Sequence, residues 1–351
     1  MTQASNEDGL GQLRSKSRDL RVLSLFSGCG GMDLGIEGGF EFLGETFERL
    51  PTRTVQAIEI DPKIAEIYSR NLSAPCFVGD VRDISAPDIP AHDILTGGFP
   101  CQSFSISAQN PPRLGHDDER GRLYFEMCRI LRHHQPRVFI AENVKGILTA
   151  NRGKAFPLIL EEFEQSGYHV KWALLNSSHF GVPQRRQRVF IVGFKNKAAS
   201  NRFRFPEPTH LNNPAVLSDV VLLDEEIDEA FYFSQRALDG LVSTKLSKIM
   251  KKGRIQDPNS PCNTVSAHLA KVSINSTDPV YSSKGRLRMF TPREVARIQS
   301  FPDEFELPPT KTLSYRALGN AVPPVLMWHV ANQVVEALDV NRVSSIRSTV
   351  S

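Results

Sequence analysis

Arg21-Val22-Leu23-Ser24-Leu25-Phe26 runs straight into Ser27-Gly28-Cys29-Gly30-Gly31, and this stretch decides the fold class. An apolar run of strand type that stops in glycines predicts a strand, a tight turn and then a helix. Outward from it the same alternation recurs. TVQAIEI (54–60) reads as the next strand, and Pro62 stands where a helix opens its first turn. CFVGD (76–80) and HDILTGGF (92–99) follow, then a helix around 122–132 and the strand RVFIAENV (137–144). A helix near 156–165, the strand HVKWALLNS (169–177) and RVFIVGF (188–194) close the series. Continuous apolar strands alternating with helices predict a mostly parallel sheet covered on both faces. The class is α/β, doubly wound.

Past residue 194 the pattern breaks. Residues 201–213 are rich in Pro, Asn and Phe, and elements up to about 288 are short and polar. This predicts a smaller, irregular second domain. TPREVARIQSF (291–301) reads as a capped helix, with Thr291 as N-cap, Pro292 in the first turn and Glu294 completing a capping box. PPVLMWHVANQVVEAL (323–338) reads as an amphipathic helix. The expected organisation is a loose tail (1–19), a large domain (20–198), a small domain (199–286), a return to the large domain (287–340) and a frayed tail (341–351).

The 351 residues, 40% hydrophobic and 23% charged, exclude a largely disordered or fibrous chain. No apolar run approaches the roughly 20 residues of a membrane span. The polar start MTQASNEDGLGQLRSKSRD lacks the apolar core of a secretory signal. A net charge of +3 is too mild to identify a nucleic-acid binder by itself. The 5 cysteines are scattered with no C-x-x-C pair, so neither a metal site nor a disulfide framework is expected, and a reducing cytoplasm fits.

Glycines after the first strand let a ligand approach the backbone. Asp33 stands where a dinucleotide fingerprint has its third glycine, which weakens that reading, and a tight turn without ligand would use the same residues. Glu59 ends the second strand and Asp80 the third. Acids at these strand ends suit the hydroxyls of a ribose and the amino group of an adenine. Together with the glycine loop they point to an adenosine ligand.

Cys101 follows the fourth strand through Gly98-Phe99-Pro100. A lone cysteine is most often a small buried hydrophobe, but this one sits at a strand's carboxyl end, before a long polar loop (105–118) that suits a lid. Glu142 ends an apolar strand, where burial raises a carboxyl pKa and suits it to proton donation; a helix-capping acid is the alternative. In Gln184-Arg185-Arg186-Gln187-Arg188 the alternate arginines Arg186 and Arg188 face one side of an extended chain and suit a carbonyl or phosphate. A solvated charged turn is the other reading.

The ordered motifs FSGCGG (26–31), GFPCQSFS (98–105), ENV (142–144), QRRQR (184–188), PREVARIQSFPD (292–303) and GNAVPP (319–324) resemble the DNA (cytosine-5) methyltransferases. The resemblance runs from about residue 21 to 338, and closely follows the short bacterial modification enzymes. It implies a Rossmann-like fold dependent on S-adenosylmethionine. It implies that Cys101 adds to C6 of cytosine, that Glu142 engages N3 and the exocyclic amine, that Arg186 holds the O2 carbonyl and that Arg188 supports the nearby loop. C5 then takes the methyl group, and loss of the C5 proton expels Cys101. The base for that proton is unassigned, water being one candidate.

For the cofactor, the resemblance implies Phe26 stacked on adenine, Gly28, Gly30 and Gly31 beside the methionine moiety, Glu59 on the ribose and Asp80 on the adenine amino group. Ile60, Val81 and Pro100 would line the pocket, and Asn320 with Ala321 would bring the chain's end to the methionine side, packing the last helix beside the first strand. For double-stranded DNA it implies a flipped base, with Gln102, Ser103 and Ser105 in a closing loop (103–118) and Thr264 near the flipped nucleotide's backbone. Residues 205–286 would read a short site of about 4–6 base pairs from the major groove. Lys245, Lys248, Lys251, Lys252 and Arg254, with no acid between them, suit phosphate contact or a solvated helix face. Three departures stand out: a longer link at 40–54, Ile60 in place of an aromatic, and Ala321 where some relatives have serine. A cytoplasmic, nucleoid-associated monomer is expected, paired genetically but without a stable complex with a restriction endonuclease. The rivals are an RNA (tRNA) cytosine-5 methyltransferase, a nucleotide-binding oxidoreductase and an inactive DNA-binding relative.

Overall fold

Leu20–Leu25 (β1) buries its last four residues and turns through glycines into Gly31–Glu37 (α1), as its apolar run predicts. The computed structural model describes residues 19–100, 123–242, 253–271 and 278–338. The expected tails, the closing loop and the lysine run 245–252 lie outside these residues. In chain order there follow Phe40–Phe42 (β2), Glu45–Phe47 (β3), Thr52–Glu59 (β4), Pro62–Asn71 (α2), Cys76–Val78 (β5) and Ile94–Gly97 (β6). Tyr124–His134 (α3), Val138–Val144 (β7), Ala155–Gln165 (α4), His169–Asn176 (β8), Gln184–Arg185 (β9) and Gln187–Phe194 (β10) complete the α/β part.

Seven strands form one sheet in the order β5-β4-β1-β6-β7-β10-β8. β5, β4, β1, β6 and β7 are parallel, while β10 runs antiparallel to both its neighbours. The reversal has a simple cause: only residues 177–186 join β8 to β10, and a parallel return needs a longer crossover. The strand order changes direction between β1 and β6, which opens a crevice at their carboxyl ends. β1 delivers the glycine loop to that crevice, and β6 delivers Gly98, Phe99 and Pro100. The fold is Rossmann-like, doubly wound and mostly parallel.

Alternation along the strands separates two cores. Val22, Ile94, Val138 and Ile140 face one side, packed with Ile36 and with Leu326 and Val330 of Pro324–Leu338, the last helix. Leu23, Leu95, Phe139 and Ala141 face the other, against Met127, Leu131, Ile159 and Phe163 of α3 and α4. Each fully buried aliphatic side chain contributes about 1.5–3 kcal/mol. The last helix therefore lies beside β1, as expected.

One finding differs in character from the sequence expectation. The link at 40–54, expected as a surface insertion, is a docked β2–β3 hairpin. It turns at Leu43 and Gly44, both with positive φ. Phe40, Phe42, Phe47 and Leu50 are buried, Phe47 meets Trp328 edge-on, and the Trp328 indole donates to the Glu48 carbonyl at 2.8 Å.

The irregular stretch holds Lys197–Arg202 (α5), Gln235–Val242 (α6), Cys262–Asn263 (β11), Tyr281–Ser283 (β12), Arg286–Arg288 (β13) and several single turns. Pro292–Ile298 (α7), Lys311–Asn320 (α8) and Pro324–Leu338 (α9) follow, and Thr291, Pro292 and Glu294 build the expected capping box. Leu217, Val220, Val265 and Leu269 share one apolar cluster with Val295, Ile298, Phe301 and Leu318. At that seam Arg288 and Glu294 form a fully buried ion pair at 2.7 Å.

Candidate active site

The glycine loop owes its shape to three anchors. Phe26 and Gly28 both have positive φ, 54° and 57°, so the chain leaves β1 by a sharp left-handed bend. The Gly28 amide donates to Glu59 Oε2 at 2.9 Å, and the Asp61 amide donates to Glu59 Oε1 at 2.9 Å. Gly30 (φ 90°) is closed from behind, since a Cβ there would meet Leu72 Cδ1 at 2.1 Å. Burial holds the Glu59 carboxyl above the usual carboxylate range, against these two amides. Its oxygens keep lone pairs for ligand hydroxyls.

Beneath the loop lies Asp33, which sequence reasoning registered only as a missing glycine. It is fully buried and accepts hydrogen bonds from Ser24 Oγ (2.8 Å), Tyr68 Oη (3.2 Å) and Thr54 Oγ1 (3.3 Å). One carboxyl thus ties α1 to β1, β4 and α2. Desolvation pushes its pKa up to about 7. An acid inside the apolar pattern Met32-Asp33-Leu34-Gly35-Ile36 was the signal available.

Asp80 caps the turn after β5 and is gripped by the Arg82 fork, Nη2 to Oδ2 at 2.7 Å, which holds its carboxyl below the usual range. Opposite, at the end of β7, Glu142 is buried and lies 2.9 Å from Arg188 Nε. Burial raises its pKa, while the Arg188 and Arg186 cations oppose the rise. A Cβ on Gly98 would stand 3.2 Å from Glu142 Oε2, and the Asn143 amide group donates to the Phe99 carbonyl at 3.1 Å. The segment leading to residue 101 therefore runs alongside Glu142.

The two arginines make different contacts. Arg186 was expected to hold a carbonyl of the substrate. Instead its Nη1 donates to the Val265 carbonyl (3.1 Å), and its Nη2 to those of Gly319 and Ala321 (both 2.9 Å). Its Nε alone is without a partner among the described residues. Arg188, expected to support a loop, stands against Glu142. Alternation put both on one side of the chain, but depth separates them: Arg186 is almost fully buried at the bend between β9 and β10.

These groups line one open cleft of about 730 Å³, within the range of small-molecule sites. Phe26, Gly28, Gly31, Glu59, Ile60, Asp80, Val81, Pro100, Glu142, Arg186, Arg188, Asn320 and Ala321 all border it. Gly30 stands behind the loop. Asp61, His268 and Arg316 border it too and were missed. Thr264 is exposed nearby and its hydroxyl donates to the Arg185 carbonyl at 2.8 Å. Arg254 corrects an expectation: it is buried, with Nε donating to the Asp278 carbonyl at 2.8 Å, so it does not belong to an exposed phosphate-binding row. Cys101, Gln102, Ser103, Ser105, Lys251 and Lys252 lie outside the described residues.

Comparison with known proteins gives this cleft a context. Residues 20–336 match the family model for C-5 cytosine-specific DNA methylase. Type II methyltransferase M.DsaV of Dactylococcopsis salina is 34% identical over 331 residues, covering 92% of this chain and 88% of that protein. Type II methyltransferase M.NgoFVII of Neisseria gonorrhoeae is 36% identical over 355 residues, covering 93% and 89%. Among solved structures, the S. pombe Dnmt2 methyltransferase has a TM-score of 0.68 at 22% identity, covering 92% of this chain and 99% of its own; at that identity it supports the fold alone. The match takes in the sheet, every described wall of the cleft and nearly all of α9, and so the chain belongs to the C-5 cytosine-specific DNA methylases, as a DNA cytosine-5 methyltransferase.

Proposed function

We propose that this enzyme methylates C5 of a cytosine turned out of a short specific duplex DNA site, with S-adenosylmethionine as donor and Cys101 as nucleophile. The observation that carries the reading is the shared cleft: the Glu59-braced glycine loop and the Glu142–Arg188 pair border one space. When bound, S-adenosylmethionine supplies an electrophilic methyl group. Phe26 gives its adenine a face, Glu59 accepts from the ribose hydroxyls and Asp80 accepts from the adenine amino group. The donors and acceptors present fit an adenosine, since both acids stand at strand ends beside the loop.

Cytosine C5 is a poor nucleophile until a thiolate adds at C6. Glu142, whose carboxyl pKa burial raises against the pull of the Arg188 and Arg186 cations, donates a proton to N3 as Cys101 adds, which drains charge from the ring. Arg188, beside Glu142, takes the O2 carbonyl. Arg186 holds the surrounding backbone in place. Expulsion of Cys101 with loss of the C5 proton restores the aromatic ring. Residues 199–286 select the sequence, with Thr264 near the target nucleotide's backbone. The Type II names of M.DsaV and M.NgoFVII support a role as the modification partner of a restriction endonuclease, and action as a cytoplasmic monomer on the nucleoid belongs to the same proposal.

The test is transfer of labelled methyl groups to duplex DNA and, in parallel, to tRNA. Labelling of DNA cytosine is expected, with a trapped covalent adduct on duplexes carrying 5-fluorocytosine and none with Cys101→Ser. Labelling of tRNA alone would reject the DNA reading, and an adduct formed by Cys101→Ser would reject the nucleophile. Exchange of residues 205–286 with a relative's segment is expected to change the methylated sequence seen by bisulfite sequencing.

A further inference from the structure

The proposed reaction ends with loss of the C5 proton, and that step needs a base. Among the described residues of 199–286, His268 alone borders the cleft. The segment before it fixes its place. The Val265 carbonyl accepts from Arg186 Nη1 at 3.1 Å, and a Cβ on Gly319 would meet the Ala267 nitrogen at 2.3 Å. The His268 amide donates to Ser266 Oγ at 3.0 Å, and that hydroxyl donates to Asp278 Oδ1 at 2.6 Å. Arg186 in turn lies near enough to Arg188 and Glu142 to feel both charges. The turn carrying His268 is therefore packed on the arginine that neighbours the Glu142–Arg188 pair. His268 is exposed there, and its imidazole has no hydrogen-bond partner among the described residues.

The carboxylates that border the cleft are already engaged. Asp80 is forked by Arg82, and Asp61 caps α2 while pairing with Arg316 at 2.8 Å. Glu59 is held by the amides of Gly28 and Asp61, and Glu142, beside Arg188, serves N3 in the proposed reaction. We propose that His268 is the base that takes the C5 proton after methyl transfer. This rests on the reading of Cys101 as nucleophile and C5 as methyl acceptor. Imidazole is the side chain suited to accepting and returning a proton near neutral pH, whereas a carboxylate held in an ion pair is a weak base. In the step, the imidazole binds the C5 proton and the C5–H electron pair becomes the C5=C6 double bond. The C6–S bond breaks with its pair on the Cys101 sulfur, and N3 returns its proton to Glu142.

The experiment follows labelled methyl groups through single turnovers of the full chain and of His268→Gln. The substrate is a duplex with ordinary cytosine at the site that bisulfite sequencing identifies. His268→Gln is expected to transfer the label at close to the wild-type rate but to leave it in a covalent protein–DNA adduct that survives denaturation. Release of free methylated DNA from that adduct should be slower by about 10²-fold, the scale of one lost general base. Release as fast as in wild type overturns the assignment. So does a variant that is slow in methyl transfer itself and accumulates no adduct, because His268 would then serve DNA binding or the fold. Both outcomes leave the nucleophile reading intact. A wild-type chain that forms no adduct on duplexes carrying 5-fluorocytosine overturns that reading, and the base with it.

Discussion

Arg188 reaches Glu142 diagonally across two antiparallel strands: Arg188 is in register with Val144 and Phe190 with Glu142, and Arg188 Nε still lies 2.9 Å from Glu142 Oε1. On the proposed mechanism this contact shifts the pH dependence of activity. Glu142 must be protonated to donate, so activity falls as pH rises through its pKa. Burial raises that pKa and the Arg188 cation pulls it down. Arg188→Gln is expected to move the alkaline limb of kcat/KM to higher pH, while Glu142→Gln lowers kcat by about 10²–10⁴-fold. An alkaline limb that stays in place or moves down in Arg188→Gln would contradict the assignment.

Arg186 joins backbone carbonyls of two segments far apart in sequence, that of Val265 and those of Gly319 and Ala321. Arg186→Ala leaves them without this donor. A loss of about 3–5 kcal/mol is expected, measured as a lower urea midpoint. Arg186→Lys should recover only part, because a single ammonium cannot reproduce the fork.

Asp33 makes a stability prediction with a definite sign. Its folded pKa of about 7 lies above the ordinary value near 3.8, so the native chain keeps a proton that the unfolded chain releases. Its contribution is greatest below pH 3.8, declines as pH rises and is lost above about 7. Asp33→Asn removes the titration. The stability gap between wild type and mutant should therefore shift against wild type across this window by up to about 4 kcal/mol, from about 1.4 kcal/mol per pH unit. Parallel denaturation profiles from pH 4 to 8 would show that Asp33 does not titrate in this way.

The buried Arg288–Glu294 pair offers a contrast between single and double changes. Glu294 also accepts from the amides of Thr291 (2.7 Å) and Leu222 (3.0 Å). Glu294→Ala strands a buried guanidinium and should cost about 3–5 kcal/mol. The double change Arg288→Met with Glu294→Leu should lose less than Glu294→Ala alone. Thermal unfolding of the two proteins decides it.

Much of this was legible in the chain itself. The strand runs, the glycine loop, Glu59, Asp80 and Glu142 at strand ends, and the Thr291 cap all depend on local pattern, which the sequence displays. Depth was not legible. Alternation shows that Arg186 and Arg188 share a side, and cannot show that the bend between β9 and β10 sinks the first of them among carbonyls. Arg254 looked solvated because it follows a run of lysines, yet its guanidinium turns inward to the Asp278 carbonyl. The 40–54 link looked polar because Phe40, Phe42 and Phe47 are separated by charged residues, although alternation is what a hairpin with one buried face requires. Arg316 and Asp61 are 255 positions apart, and only the fold brings them together.

The stretch between α5 and β13 does not close on an oily interior of its own: Leu217, Val220, Val265 and Leu269 lean on Val295, Ile298 and Phe301. Such a stretch cannot travel between homologues as a self-sufficient cassette. A chimera that imports a foreign version must also import, or already match, the bed on which it rests.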